Sequence, residues 1–456
     1  MGIWFETAWV DGEWASRVRV TATGVETGAD PLPTDERHAI GVPGLPNVHS
    51  HAFQRGMAGL AEARGPGSDD FWSWRELMYR FVDRLSPDDL EAIAAQAYAE
   101  MLESGFTRVG EFHYLHHAPD GHAYADPAEM AARIAAAAED TGIGLTLLPV
   151  FYAHGGFGGA PAGEAQRRFL NTPDSFAKLV ESARDLTEIV GIAPHSLRAV
   201  TPDELRAILP LGGPVHIHIA EQMKEVRDCL AWSGKRPVEW LLSEMPVGRD
   251  WTLVHATHLT DTECTALANS GAVAGLCPIT EANLGDGLFP AAAFLDAGGA
   301  IGVGSDSNVR IDAAEELRLL EYGQRLTARA RNVLAAPGRS TGARLFEAAL
   351  NGGNQSLAIP SVFLRKQESR IASDAADNPG LLPSQEHNGD WVSLNPNDPA
   401  LANRSGDAIL DSWIFAARTP IDCVWRNGVK LVENGRHIHA NAIATRYRHA
   451  LARLLA

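Results

Sequence analysis

Cysteine is scarce in this chain: Cys229, Cys264, Cys277 and Cys423 are its only four in 456 residues, and no pair has C-x-x-C spacing. That excludes a disulfide framework or a cysteine-rich zinc module and leaves buried, reduced thiols. Long apolar runs are lacking as well. No stretch approaches a membrane span, and the start, Met1-Gly-Ile-Trp-Phe-Glu6, has neither the basic residues nor the apolar core of a signal peptide. A cytoplasmic location is expected. Positive charge is in short supply, with 39 Lys+Arg against 57 Asp+Glu and a formal net charge of −18. Such a surface repels phosphate backbones and anionic lipid, so neither nucleic acid nor membrane is an expected partner. A small anionic substrate stays compatible, provided local arginines work against the global field.

What the chain does have is repetition. Between about residues 40 and 310, eight short apolar runs alternate with helical segments: Ala39–His49, Phe106–Leu115, Gly144–Tyr152, Ile189–Val200, Pro214–Ala220, Trp251–Ala256, Ala272–Pro278 and Ala300–Ser305. Helix starts are marked by Ser86-Pro87-Asp88-Asp89 and Thr201-Pro202-Asp203-Glu204, a cap residue before a proline. Helix ends carry Gly105, Gly142 and Gly271. Eight strands alternating with helices point to a (β/α)8 TIM-like barrel, whose functional residues gather at the C-terminal strand ends.

The flanks are β-rich. Ile3–Val10 and Arg17–Thr21 surround Asp11-Gly12; Trp391–Leu394, Ile409–Phe415 and Val424–Leu431 follow late in the chain, the last around Asn427-Gly428. Together they predict one small β domain assembled from residues 1–40 and 387–456, the latter ending in a helix, around a barrel over 41–357. Residues 312–350 read as one or two helices closing that barrel. Residues 358–386 carry no clear period, and Ile359–Arg370 resembles translated copies of dispersed bacterial genomic repeats. This segment is expected to be a surface insertion with little apolar area to offset the entropy of ordering.

Chemistry collects where apolar runs turn polar. His49 and His51 form an H-x-H at a strand end, which aims two imidazoles at one point. A second H-x-H is His216-Ile-His218, followed by Glu221; further on come His255 and, in Gly-Val-Gly-Ser-Asp, Asp306. His218 is preferred to His216 because it stands three residues before Glu221, and His216 is read as a core or supporting histidine. His49, His51, His218 and Asp306 make a three-histidine, one-carboxylate set that suits zinc and also iron(II) or manganese. In that arrangement Asp306 also takes a proton, His255 holds the nucleophilic water and Glu221 shuttles protons to a substrate nitrogen. Gly155-Gly-Phe-Gly-Gly159 lacks the following lysine and hydroxyl of a phosphate cradle. It is expected to form a flexible lid, with Arg168 contributing just beyond it. Trp72 and Trp74 are expected in the pocket wall or core.

This pattern resembles the amidohydrolase superfamily, in its mononuclear deaminase branch. Binuclear members carry a bridging lysine at the end of strand four, and Ile192–Val200 has none, so one metal per chain is implied. Asn47-Val-His-Ser-His-Ala-Phe-Gln-Arg55, Phe71-Trp-Ser-Trp-Arg75, Glu111-Phe-His-Tyr114, Pro194-His-Ser-Leu-Arg198 and His218-Ile-Ala-Glu-Gln222 resemble the formimidoylglutamate deiminases of histidine breakdown. That family hydrolyses N-formimidoyl-L-glutamate to N-formyl-L-glutamate and ammonia. The resemblance implies that Gln54, Arg75, Tyr114, His195 and Arg198 line the substrate pocket, and that the chain forms a homodimer. Two arginines suit a substrate with two carboxylates. The rivals are a superfamily deaminase acting on an aromatic base, of guanine or chlorotriazine type, and a catalytically inactive metal-binding homologue.

Overall fold

The computed structural model describes residues 2–22, 24–64, 71–359, 389–418 and 420–456. Eight parallel strand positions curl into a barrel. They are Leu45–Ser50, Phe106–His113, Gly144–Phe151, the broken fourth position Ile189–Val190 with Ala193–Pro194, then Val215–Ile219, Trp251–His255, Val273–Leu276 and Ala300–Val303. Bridges from Ile192 to Val215 and from Ser196 to His218 close the ring between the fourth and fifth positions. Val303 pairs with Asn47, and Asp306 with Ser50, between the eighth and first. The strands are buried on both faces, which is why each reads as an unbroken apolar run.

The helix punctuation acts as expected. Ser86 Oγ accepts the Asp89 N–H at 3.2 Å, and Thr201 Oγ1 accepts that of Glu204 at 3.3 Å; each such cap is worth about 1 kcal/mol. Gly142 (φ 77°) and Gly271 (φ 79°) end their helices in the left-handed conformation. Two helices, Ala313–Ala328 and Thr341–Ser356, follow the last strand.

A second sheet draws on both ends of the chain. Its order is Arg436–His437, Val429–Glu433, Ile421–Arg426, Trp391–Leu394, Glu36–Pro43, Ile3–Val10, Glu13–Thr21 and Gly24–Glu26. All neighbours are antiparallel except Ile3–Val10 with Glu36–Pro43. Phe5, Trp391 and Trp425 pack within its own small core, Phe5 lying 5.5 Å from the Trp391 ring. Both expected hairpin turns form, with positive φ at Asp11, Gly12, Asn427 and Gly428. The closing helix is Ala440–Leu454.

Three expectations change. The run Ala39–His49 is two strands: Glu36–Pro43 belongs to the terminal sheet and Leu45–Ser50 to the barrel. Gly44 joins them where a Cβ would lie 2.2 Å from Thr107 Cγ2. Ile189–Val200 is two short pieces rather than one strand. Ile409–Phe415, expected as a strand, lies in the helix Ala408–Phe415, which packs on the helices Thr341–Ser356 and Ala313–Ala328. Ile409, Leu410, Ser412, Trp413 and Ile414 are all buried, so no polar face breaks the run into a helical period. Of the segment 358–386, all but Ala358 and Ile359 lies outside the described residues.

Candidate metal centre and active site

The barrel's closing contacts set the geometry of the four expected ligands. Asp306 N donates to His49 O and His51 N donates to Asp306 O, each at 2.9 Å, which locks the end of the first strand to the loop after the eighth. Gly304 permits that approach: a Cβ there would lie 2.7 Å from His49 O. On the other side, His218 N donates to His195 O at 3.1 Å.

The three imidazoles converge. His49 Nε2 lies 3.2 Å from His51 Nε2 and 3.0 Å from His218 Nε2. Asp306 Oδ1 stands 3.5 and 3.4 Å from the Nε2 atoms of His49 and His51. His51 Nδ1 is 2.9 Å from Phe112 O, and His218 Nδ1 is 3.0 Å from His195 O. A carbonyl only accepts, so in both neutral rings the proton sits on Nδ1 and Nε2 presents a bare lone pair inward. Lone pairs facing one another in a buried space need a cation between them. Two imidazole nitrogens about 2.0–2.1 Å from one tetrahedral ion stand roughly 3.3 Å apart, close to the separations seen. Burial and neighbouring histidines lower the pKa of His51 to about 3 and that of His218 well below its ordinary value, keeping them neutral as metal ligation requires. The donor set fits one divalent ion.

Beside this cluster stand Glu221 and His255. His255 Nε2 is 3.8 Å from Glu221 Oε1 and 3.7 Å from Asp306 Oδ2. Burial works against a charge on His255, but Glu221, Glu281 and Asp306 outweigh it and raise its pKa. Burial raises that of Glu221. Four non-glycine residues here adopt positive φ: Ala220 (51°), His255 (67°), Ala256 (47°) and Asp306 (46°). Each such residue costs on the order of 1–3 kcal/mol, and strain of this kind gathers where side-chain aim matters.

Gln54, Arg75, Tyr114, His195 and Arg198 line the same cavity as His51, His218, Glu221, His255 and Asp306. Gln54 Nε2 donates to Tyr114 Oη at 2.9 Å, while Gln54 Oε1 is buried without a hydrogen-bond partner among the described residues. The Arg75 guanidinium sits 4.5 Å from the Trp72 ring centre, and that of Arg198 5.8 Å from it. The Nε–H of each arginine is buried with no hydrogen-bond partner among the described residues. Burial opposes charge on Arg198, but Glu225 and Glu221 keep its pKa above the usual value. Among the described residues no acceptor meets either donor, which suits an anionic ligand.

Sequence reasoning missed several neighbours. Tyr79 lines the cavity one helical turn after Arg75, a spacing that alone would have found it. Tyr152, at the end of the third strand, also lines it. Glu225 accepts the Ala220 and Glu221 N–H groups at 3.1 and 3.3 Å, fixing the turn that carries Glu221. Glu281 lies 3.2 Å from His255 Nδ1. Cys277 places its sulfur within 4.8 Å of donor atoms of His255 and Asp306, but burial keeps it a neutral thiol.

The expectations for Arg168 and the glycine loop fall away, while those for Trp74 and His216 hold. Arg168 does not line the cavity; it is fully buried and donates to the carbonyls of His117 and Val82. The Gly155–Gly159 loop is pinned by Gly155 N to Ala160 O (2.8 Å) and by Phe157 stacking on Trp232 at 5.5 Å, and none of its residues lines the cavity. Trp74 is in the pocket wall. His216 turns away, its Nε2 2.9 Å from Ser356 O. A larger cleft of about 1570 Å³ includes Arg55, Arg310 and Arg318, but these pair with Glu100, Asp312 and Glu315. None of His49, His51, His218, Glu221, His255 and Asp306 lines it.

The profile of the Amidohydrolase family matches residues 40–348, more than half of the chain. The chain belongs to this family. It is 48% identical, over 99% of both chains, to a formimidoylglutamate deiminase from Pseudomonas aeruginosa. It is 30% identical to an 8-oxoguanine deaminase of the same organism, over 64% of this chain and 65% of that one. A crystal structure of an amidohydrolase from Brucella melitensis superposes with a TM-score of 0.92 at 52% identity, covering 100% of each chain. Among the described residues of this amidohydrolase, no helix is long and apolar enough to cross a membrane.

Proposed function

We propose that this amidohydrolase hydrolyses N-formimidoyl-L-glutamate to N-formyl-L-glutamate and ammonia. The observation that carries the reading is the pair of buried Nε–H groups of Arg75 and Arg198, without a hydrogen-bond partner among the described residues, in the same cavity as the histidine cluster. A dicarboxylate with a formimidoyl group needs cations at one end and hydrolytic chemistry at the other; an aromatic base needs no such pair. Identity of 48% to the Pseudomonas aeruginosa deiminase supports the same substrate.

His49, His51, His218 and Asp306 would hold one zinc ion per chain, with iron(II) or manganese as substitutes. Such an ion supplies Lewis acidity, making a water nucleophilic near neutral pH. The protein's own groups do the rest. Arg75 and Arg198 bind the substrate carboxylates, with Gln54, Tyr114 and His195 fixing its orientation. Asp306 accepts the proton lost by water as its oxygen attacks the formimidoyl carbon, and His255 holds that water. Glu221 delivers a proton to the imino nitrogen, leaving an amino group on a tetrahedral carbon. As the carbon–nitrogen bond breaks, the proton first taken from water passes on to that nitrogen, the hydroxyl proton of the tetrahedral species returns to Glu221, and ammonia leaves. The enzyme would work in the cytoplasm, in histidine breakdown, as a homodimer. The decisive experiment measures ammonia release from formimidoylglutamate beside guanine and aminotriazines, with metal content determined on the same sample. Release from formimidoylglutamate alone, with one metal per chain, is expected; preference for an aromatic amine would overturn the reading.

A further inference from the structure

Glu281 is a buried carboxylate that the reaction as written does not use. It sits on the short helix Pro278–Leu284, directly after the seventh strand, and only 5% of its surface is exposed. Its Oε1 accepts the N–H of Cys277 at 2.9 Å, and the same atom lies 3.2 Å from His255 Nδ1. The Glu281 N–H in turn donates to Cys277 O at 2.8 Å. The start of its helix thus holds both the backbone of Glu281 and one oxygen of its carboxylate. Thr280 extends the anchorage: its Oγ1 lies 2.8 Å from Ser307 Oγ and 3.3 Å from Ser305 O. One helical turn therefore references both His255 and the loop that carries Asp306.

His255 needs such a reference. Its backbone is strained, and its Nε2 contacts with Glu221 and Asp306, at 3.8 and 3.7 Å, are too long for hydrogen bonds. Glu281 supplies the contact of hydrogen-bond length to this ring. An ionised Glu281 carboxylate has no proton to give and already accepts from the Cys277 N–H, so the facing Nδ1 is the donor. We infer that Glu281 is a positioning residue that holds His255 in its Nδ1–H form, with Nε2 turned toward Glu221 and Asp306. With Nδ1–H bonded to Glu281, the ring cannot turn Nε2 away from Glu221 and Asp306. A carboxylate orienting a histidine in this way is worth up to roughly four orders of magnitude in turnover where it has been removed.

The effect on turnover rests on the deiminase reading, but the ring's tautomer does not. The test uses the metal-loaded full chain, 15N-labelled at histidine, with the His255 signals assigned by their loss in His255→Asn. The parent should show a protected, downfield Nδ1–H for His255. Glu281→Ala should lose that signal, keep one metal per chain, and lower kcat about a hundredfold with KM within about threefold. Glu281→Gln, whose amide oxygen can accept from both N–H groups, should keep the signal at a shifted position and recover activity to within roughly tenfold of the parent. If Glu281→Ala fails to fold, Glu281→Gln decides: an unmoved Nδ1–H resonance overturns the inference. So does a Glu281→Ala protein with unchanged kcat, or one whose loss lies only in KM. If the parent releases no ammonia from formimidoylglutamate while the resonances behave as expected, the substrate assignment fails and the positioning role stands.

Discussion

At one end of the active-site cavity His49, His51, His218 and Asp306 are held by strand ends, with inter-strand hydrogen bonds of 2.9–3.1 Å and a strained backbone behind them. At the other end Arg75 comes from the helix Phe71–Val82 and Arg198 from the loop after the broken fourth strand, and each has an Nε–H without a partner among the described residues. At the first end, carbonyls hold the Nδ1 atoms of His51 and His218, so their Nε2 atoms face the shared centre. The second remains unsatisfied until an anion arrives. Their difference divides the labour: the rigid end shapes the reaction, and the other end chooses the substrate and is paid for by binding it.

The division predicts where losses fall. His218→Ala removes one of the two imidazoles whose tautomer is pinned by a carbonyl, so metal content should fall well below one per chain and activity should vanish with it. Full metal occupancy in that variant would break the proposed ligand set. Glu221→Gln and His255→Asn should keep the metal and lose on the order of a hundredfold or more in kcat, the usual reach of general acid–base groups. Loss of metal in either variant would move that residue into the ligand set.

Arg198→Met and Arg75→Met should act differently. A guanidinium that grips a carboxylate stabilises bound substrate and transition state alike, so its removal should raise KM chiefly, by roughly tenfold to a hundredfold, and leave kcat within a few-fold. Steady-state kinetics on formimidoylglutamate checks this. A fall in kcat at unchanged KM would show that the two ends are not separable.

The same contrast explains what could be read from the chain alone. Strands buried on both faces give apolar runs, and barrel chemistry sits where those runs end, so His49, His51, His218, Glu221, His255 and Asp306 were visible as a pattern. Arginines were harder. Arg168 stands near a pocket-lining segment just as Arg198 does, and only the fold shows that its donors are spent on backbone carbonyls. Glu281 follows a barrel strand as a lone carboxylate in the first turn of a short helix, with no ligand-like spacing to mark it in the sequence. The helix Ala408–Phe415 was mistaken for a strand because burial on nearly every side erased its period. The joint at Gly44 was invisible because the chain changes sheets without a polar break.

The smallest effect on turnover belongs to Glu111, which buttresses the rigid end from behind. It is 1% exposed and its Oε1 accepts the Ala52 N–H at 2.7 Å, the first backbone amide after His51. Burial raises its pKa to about 8, more than the Ala52, Ser50 and Tyr98 contacts lower it. The folded protein therefore holds this proton more tightly than the unfolded chain does. The stability contributed by the protonated form is complete below the unfolded value near 4.5, and it is lost as pH rises through 8. Glu111→Gln cannot ionise, and its amide oxygen can still accept from Ala52. Relative to the parent at equal metal loading, the variant should therefore gain stability between pH 5.5 and 8.5. The gain should be on the order of a few kcal/mol, since each pKa unit is worth about 1.4 kcal/mol and other pH-linked groups cancel in the comparison. Denaturant unfolding of both proteins across that range measures it, and kcat should stay within a few-fold of the parent throughout. A stability difference that does not change with pH would mean Glu111 is not protonated in the folded state. The backing of the metal end would then be a buried charge rather than a neutral hydrogen-bonding group.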